Sequence, residues 1–274
     1  MELHIAPFVI PVLGTLIPRR RNPVIIAKTD ERIAFEVNVE RQTTEITFNF
    51  ENVPKPKFLK MFLEEFLRGL GEKGLKVTVN VRGAFESFKI STYAILTAHL
   101  MVIIGNKLGY DVSIDDIEKY SPLLESKELI SYLPIIMALR VSTLKNKSMI
   151  YRFREGWIEL PSKNKFKSYM LNIPNKVVTT RTNIGNIDLL AHIGGRNIID
   201  ATQMLRIKGI LESYIITEES LQYAIYNLED IVDLNMYFKC RCIIFPDIES
   251  SSLICFKKPY GKCEEIIVTL GERK

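Results

Sequence analysis

Apolar and polar positions alternate along the N-terminal part of the chain. Leu3 to Pro11 is apolar and extended. Pro23–Ala27, Arg32–Val39 and Glu45–Phe50 send successive side chains to opposite faces, which predicts strands. From Lys55-Pro56 the period lengthens. Phe58, Met61, Phe62, Phe66, Leu67 and Leu70 recur at helical spacing, and Gly71 stops the helix they predict. An aromatic stripe at that spacing is core rather than a cofactor pocket. Leu75–Val81 alternates again as a strand. A turn at Gly83–Lys89 then leads into a long apolar helix, which Gly109 closes. Ser113 begins another helix, with Asp116 placed as its capping-box partner. Leu123–Leu139 reads as mostly helical, interrupted at Pro134.

The second half repeats the mixture. Met149–Phe153 and Trp157–Leu160 form a hairpin around Arg154-Glu155-Gly156. Pro161–Lys167 is polar and basic and reads as a seam between two halves, residues 1–162 and 163–274. Ser168–Ile173 is a strand. Asp188–Tyr214 carries one or two helices around Gly194-Gly195. Thr217-Glu218-Glu219 caps a helix running to about Val232. Strands near Lys239–Phe245, Ser251–Lys257 and Cys263–Leu270 finish the chain. Mixed rather than alternating order of strands and helices predicts an α+β fold of two layers per half.

Composition narrows the function classes. The chain has 274 residues, 47% hydrophobic and 25% charged, as in an ordinary globular protein. No apolar run reaches the roughly 18–20 residues of a membrane span, and the N-terminus lacks the pattern of a signal peptide, so a cytoplasmic protein is expected. The formal charge of +5 is mildly basic. Abundant Lys, Glu and Ile are a compositional hint of a thermophile. Arg19-Arg20-Arg21 and the looser set Lys163, Lys165 and Lys167 read as solvated turn charges, with nucleic-acid contact as the alternative. Cys240, Cys242, Cys255 and Cys263 match no zinc or redox spacing. They read as small core residues on adjacent strands. A disulfide between neighbouring strands is the alternative for a hyperthermophile source.

The segment with the most chemistry to interpret is Val77–Ala94: a strand, a turn and a helix start. Backbone N–H groups at such a helix start cradle phosphates when the turn is rich in glycine and serine. Here the turn carries Phe85, Glu86, Phe88 and Lys89. Two aromatics take the space of a phosphate, and Glu86 repels one. Gly83, Ser87, Lys89, Ser91 and Thr92 are the residues left to contact a cofactor phosphate. Lys89 beside Glu86 also fits a solvated turn with a local ion pair.

The opening Ala6-Pro7-Phe8-Val9-Ile10-Pro11-Val12-Leu13-Gly14-Thr15-Leu16, followed by Asn22-Pro23-Val24-Ile25-Ile26-Ala27, resembles that of the GHMP kinases, the galactokinase, homoserine kinase, mevalonate kinase and phosphomevalonate kinase superfamily. Ala6, Pro7, Gly14 and Pro23 fall in register with that pattern. The family's second motif, a glycine- and serine-rich loop, aligns with Gly83–Ile90. Its third, a glycine-rich strand-turn-strand, aligns with Lys239–Lys258. The resemblance spans nearly the whole chain. It implies a GHMP-kinase-like α+β fold of two halves, the first like a small-subunit ribosomal-protein domain and the second ferredoxin-like.

The diagnostic residues differ at each motif. The first motif's glycine and basic residue are replaced by Phe8 and Val9, and its Glu-His pair by Thr15-Leu16. The second has Phe85 and Ser87 for glycines, and Phe88 and Lys89 for serines. The third reads Ile244-Phe245-Pro246-Asp247-Ile248-Glu249-Ser250, without glycine. The stretch equivalent to the family's catalytic aspartate, Leu129–Met137, has no Asp, and none occurs between Asp116 and Asp188. Phosphoryl transfer rests on positioning and charge stabilisation, so these losses imply a degenerate member without catalytic residues.

Other residues get plainer readings. His99 is a core histidine, and His4 and His192 are too far apart in sequence for a metal pair. Glu125 and Glu128 read as charged helix surface, or else as carboxylates near the old catalytic position. Asp188 and Asp200 flank the polar segment Gly194-Gly195-Arg196-Asn197, a candidate lining for the cleft between the halves, and Trp157 reads as packing. The functional expectation is a binding protein for a small ligand or a protein partner, itself included, with no cofactor and no metal. The alternatives are a diverged kinase using Mg-ATP and, less expected, a nucleic-acid-binding module.

Overall fold

The computed structural model describes residues 2–17, 20–83, 88–160, 164–205, 210 and 212–271. β1 (Leu3–Leu13) pairs antiparallel with β2 (Val24–Arg41). β3 (Glu45–Glu51), α1 (Leu59–Gly69) and β4 (Leu75–Arg82) form a crossover unit in which β3 and β4 are parallel, as a helical connection permits. α2 (Lys89–Leu108), α3 (Ile114–Tyr120) and α4 (Leu133–Lys145) follow. α2 and α4 pack on each other and on β1 and β2. β5 (Met149–Arg152) and β6 (Gly156–Glu159) form the expected hairpin. β7 (Asn164–Pro174), α5 (Ile187–Leu205), α6 (Glu212–Ile225), α7 (Leu234–Lys239), β8 (Cys242–Asp247), β9 (Ser250–Cys255) and β10 (Glu264–Leu270) complete the chain.

One sheet runs through the protein in the order β3-β4-β2-β10-β7-β9-β8. β10 joins the halves, pairing with β7 along its length and with β2 through Val268↔Thr29 and Thr269↔Lys28. The main apolar cluster likewise includes Val9, Ile26, Ile95 and Leu139 with Ile198, Phe245 and Ile254. α2 is apolar on nearly all sides because it is buried on nearly all sides: Ile90 to Ala98 is covered without a break.

Several boundaries differ from those the sequence predicts. The two strands expected at 23–27 and 32–39 are one strand, β2. The polar stretch Lys28–Glu31 continues because its neighbours pair with β1 and β10, and backbone pairing overrides the broken alternation. Pro134 does not interrupt a helix; it sits in the first turn of α4, where its missing N–H costs nothing, and Ser121–Leu124 and Lys127–Tyr132 are short 3-10 turns. The polar seam is strand from Asn164 onward, with Phe166 opposite Val268 and Lys167 paired to Glu265 at 2.8 Å. Thr217 is not a cap: its hydroxyl bonds back to Ser213 C=O inside α6, and the helix ends at Ile225. The strand expected near Lys239–Phe245 begins only at Cys242, because residues 234–239 are helix, started by the Asp233 side chain, which accepts the N–H groups of Asn235 and Met236. Cys240 therefore ends α7, and the cysteines that face each other across strands are Cys242 and Cys255, joined as a disulfide. The Ser113–Asp116 capping box forms as expected.

Candidate functional site

The second and third motifs meet at the start of α2. Phe88 precedes the helix in a left-handed conformation, with φ of 61°, and its ring is fully buried in the core. It offers no side-chain cap. The cap comes instead from Asp247, at the end of β8. One carboxylate oxygen accepts Ile90 N–H at 2.6 Å and Ile248 N–H at 2.8 Å; the other accepts Lys89 N–H at 2.9 Å and the Ser252 hydroxyl at 2.7 Å. Asp247 has no exposed surface. Burial pushes its carboxyl up, opposed by the four donors. A negative side chain at the positive end of a 20-residue helix is favourable, and here it occupies the N–H groups that a phosphate would need. At Lys89 and Ile90 the helix start therefore already holds an anionic group where a phosphate would bind.

The other phosphate-loop candidates are not assembled around a ligand. Gly83 donates its N–H to Glu51 C=O at 3.2 Å, and a Cβ there would collide with the Val53 side chain, so its glycine serves packing. Ser91 and Thr92 are fully buried, with hydroxyls that find no partner among the described residues. Lys89 reaches Asp247 through its backbone. Phe85, Glu86 and Ser87 lie outside the described residues.

The first-motif turn is tied to the C-terminal half. Gly14 has φ of +119°, and a Cβ would sit 2.7 Å from Pro23 C=O and Val24 Cα. Next to it the Thr15 hydroxyl donates to Glu218, which also receives Asn197 Nδ2 at 3.4 Å. Glu218 is fully buried, which raises its pKa. Tyr226 donates to Leu16 C=O at 2.9 Å. Reading Glu218 as a helix cap missed this role. The usable signal was the spacing Ile215, Glu218, Gln222, Ile225, which puts both polar residues on the buried face of α6.

Between the halves lies a cleft of about 820 Å³, with Arg20, Arg21, Tyr132, Phe153, Arg154 and Tyr226 among its lining. Ile130 to Pro134, from the stretch equivalent to the family's catalytic aspartate, line it too, and among the described residues no Asp or Glu does. Glu125 is not surface charge. It is buried, ion-paired to the equally buried Arg140, and accepts the Tyr93 hydroxyl at 2.6 Å. Arg140 also donates to Thr97 and Ser121 and stacks on Phe62, 4.7 Å from the ring centroid. Glu128 stays at the surface. Arg20 is paired with Asp188, and Arg19 and Lys163 lie outside the described residues. Among the described residues no group of three His, Cys, Asp or Glu side chains is placed to hold a metal ion. No helix among them is long and apolar enough to cross a membrane.

No family sequence model and no curated protein sequence matches the chain. Solved structures do. Mevalonate kinase of L. major, in complex with R-mevalonate, superposes with a TM-score of 0.65 over 100% of this chain and 97% of its own, at 8% identity. Mevalonate kinase of Methanococcus jannaschii gives 0.64 over 99% and 98%, at 11% identity. Phosphomevalonate kinase of Streptococcus pneumoniae, in complex with phosphomevalonate and AMPPNP, gives 0.61 over 94% and 93%, at 8% identity. The chain has the fold of the GHMP kinases, end to end.

Proposed function

We propose that this protein, built on the GHMP-kinase fold, does not transfer phosphate and acts by binding a small ligand or a protein partner. The observation that carries the reading is Asp247. Its carboxylate takes the N–H groups of Lys89 and Ile90, so the helix start offers a phosphate no free backbone donor at either residue and meets it with negative charge. Two further observations support it. Among the described residues the cleft lining has no carboxylate to serve as a base, and the hydroxyls of Ser91 and Thr92 are buried beneath the helix start.

Calorimetric titration with Mg-ATP and Mg-ADP, beside thermal shift, tests the reading. The expected result is no heat and no shift at millimolar nucleotide. Turnover of Mg-ATP on any alcohol or phosphate acceptor overturns it. The open cleft between the halves favours the second reading, a diverged kinase, and that outcome would establish it.

A further inference from the structure

A second hollow, also of about 820 Å³, lies beside the cleft and shares with it only Arg20 and Arg21. It opens between the β5–β6 hairpin and α5. Ile150 and Ile158 stand opposite each other on the two strands of the hairpin and form one wall. Ala191 and Ile199 of α5 contribute another. Ile158 is 68% exposed and Ile199 56%, so both present aliphatic surface to the hollow and to water. Gly195 also lines it, and a Cβ there would touch nothing within 4 Å, so the space at this position is open.

The charges around the hollow do not cancel. Its three carboxylates each have an arginine: Asp188 with Arg20, Glu155 with Arg152 at 2.9 Å, and Asp200 with Arg196 at 3.4 Å. Arg21 and His192 line the same hollow and have no carboxylate partner among the described residues. Arg21 is held in place through its backbone, whose C=O accepts Arg152 Nε at 2.8 Å. Apolar walls, a rim with unmatched basic groups and a volume within the ordinary range of ligand pockets are the features of a site for an amphiphilic anion.

We propose that this hollow binds an organic monoanion with an apolar body, the anionic group on Arg21 and the body between Ile158 and Ile199. It is separate from the phosphate site and adjoins the cleft between the halves, with Arg21 at the border of the two.

Trp157 is the chain's one tryptophan and lines the hollow, so its fluorescence reports occupancy directly. Decanoate and its neutral counterpart 1-decanol are the probes. The expected result is a saturable change in Trp157 emission with decanoate, and weaker binding of decanol. Arg21→Gln then weakens decanoate by about tenfold, the loss of one charge-assisted hydrogen bond, and leaves decanol unchanged. Gly195→Leu, whose side chain projects into the hollow, weakens both, and the exposed substitution Ile199→Gln weakens both should the first variant fold poorly. Absence of a saturable change with decanoate in the wild type overturns the proposal. So does equal affinity for the two probes, or undiminished binding in well-folded Gly195→Leu.

Discussion

Asp247 and Ile90, 157 positions apart, are joined by a 2.6 Å hydrogen bond from the Ile90 amide to the Asp247 carboxylate. That contact closes the N-terminus of α2 with a side chain carried on the β8–β9 hairpin. It makes the C-terminal half a structural part of the motif that elsewhere would receive a ligand.

Asp247→Ala leaves the amides of Lys89, Ile90 and Ile248 without their acceptor, and stability falls by about 3 kcal/mol in urea unfolding. In Asp247→Gly the vacated helix start accepts an anion, so millimolar phosphate raises Tm of this variant and not of the wild type. Unchanged stability of both variants would show that the carboxylate is not the cap.

Glu125 and Arg140 form a pair without solvent exposure. Glu125→Ala strands a buried guanidinium and costs about 3–5 kcal/mol; Glu125→Leu combined with Arg140→Met costs less than the sum of the two single changes. A double-mutant cycle by denaturant unfolding measures the difference. Additive losses would sink the coupling.

His99 lies against Phe35 and bonds to the Thr143 hydroxyl at 3.1 Å. Thr143 gives its own proton to Pro7 C=O, so the His99 ring donates from Nε2. Burial, with a smaller contribution from His4, holds the His99 pKa down at about 4 against an ordinary 6.5. The stability this neutral ring confers is complete above pH 6.5 and is lost as pH falls through 4. Over that window the wild type loses about 1–3 kcal/mol more than His99→Gln, read from urea midpoints at each pH. Identical pH profiles would refute the assignment.

The disulfide between Cys242 and Cys255 closes the β8–β9 hairpin that carries Asp247. Reduction lowers stability by about 3 kcal/mol, since the bond spans 13 residues. Alkylation under denaturing, non-reducing conditions labels Cys240 and Cys263 and spares the other two, as mass spectrometry will show. Four labelled cysteines would mean the bond does not form.

Much of the architecture is legible in the sequence because it depends on local signals. The change from a period of two to helical spacing at Phe58, the Ser113–Asp116 cap and the turn at Arg154-Glu155-Gly156 are read within a few residues of themselves. So is the order of elements, which carries the resemblance to the kinase fold. Boundaries failed where partners distant in sequence decide them. β2 is continuous because β1 and β10 pair with its polar middle, and Asn164 begins a strand because β10 lies beside it.

The candidate site divides the same way. The chain shows by itself that the diagnostic glycines and serines of the phosphate turn are replaced and that Leu129–Met137 holds no aspartate, since absence of a residue type needs no geometry. It does not show what stands in their place. Asp247 reads as a turn residue and Glu125 as a surface charge until folding brings one to the start of α2 and the other to Arg140. A carboxylate's role is set by the donors and charges within hydrogen-bond reach. For these two the donors come from segments up to 158 positions away, and only the tertiary structure decides which they are.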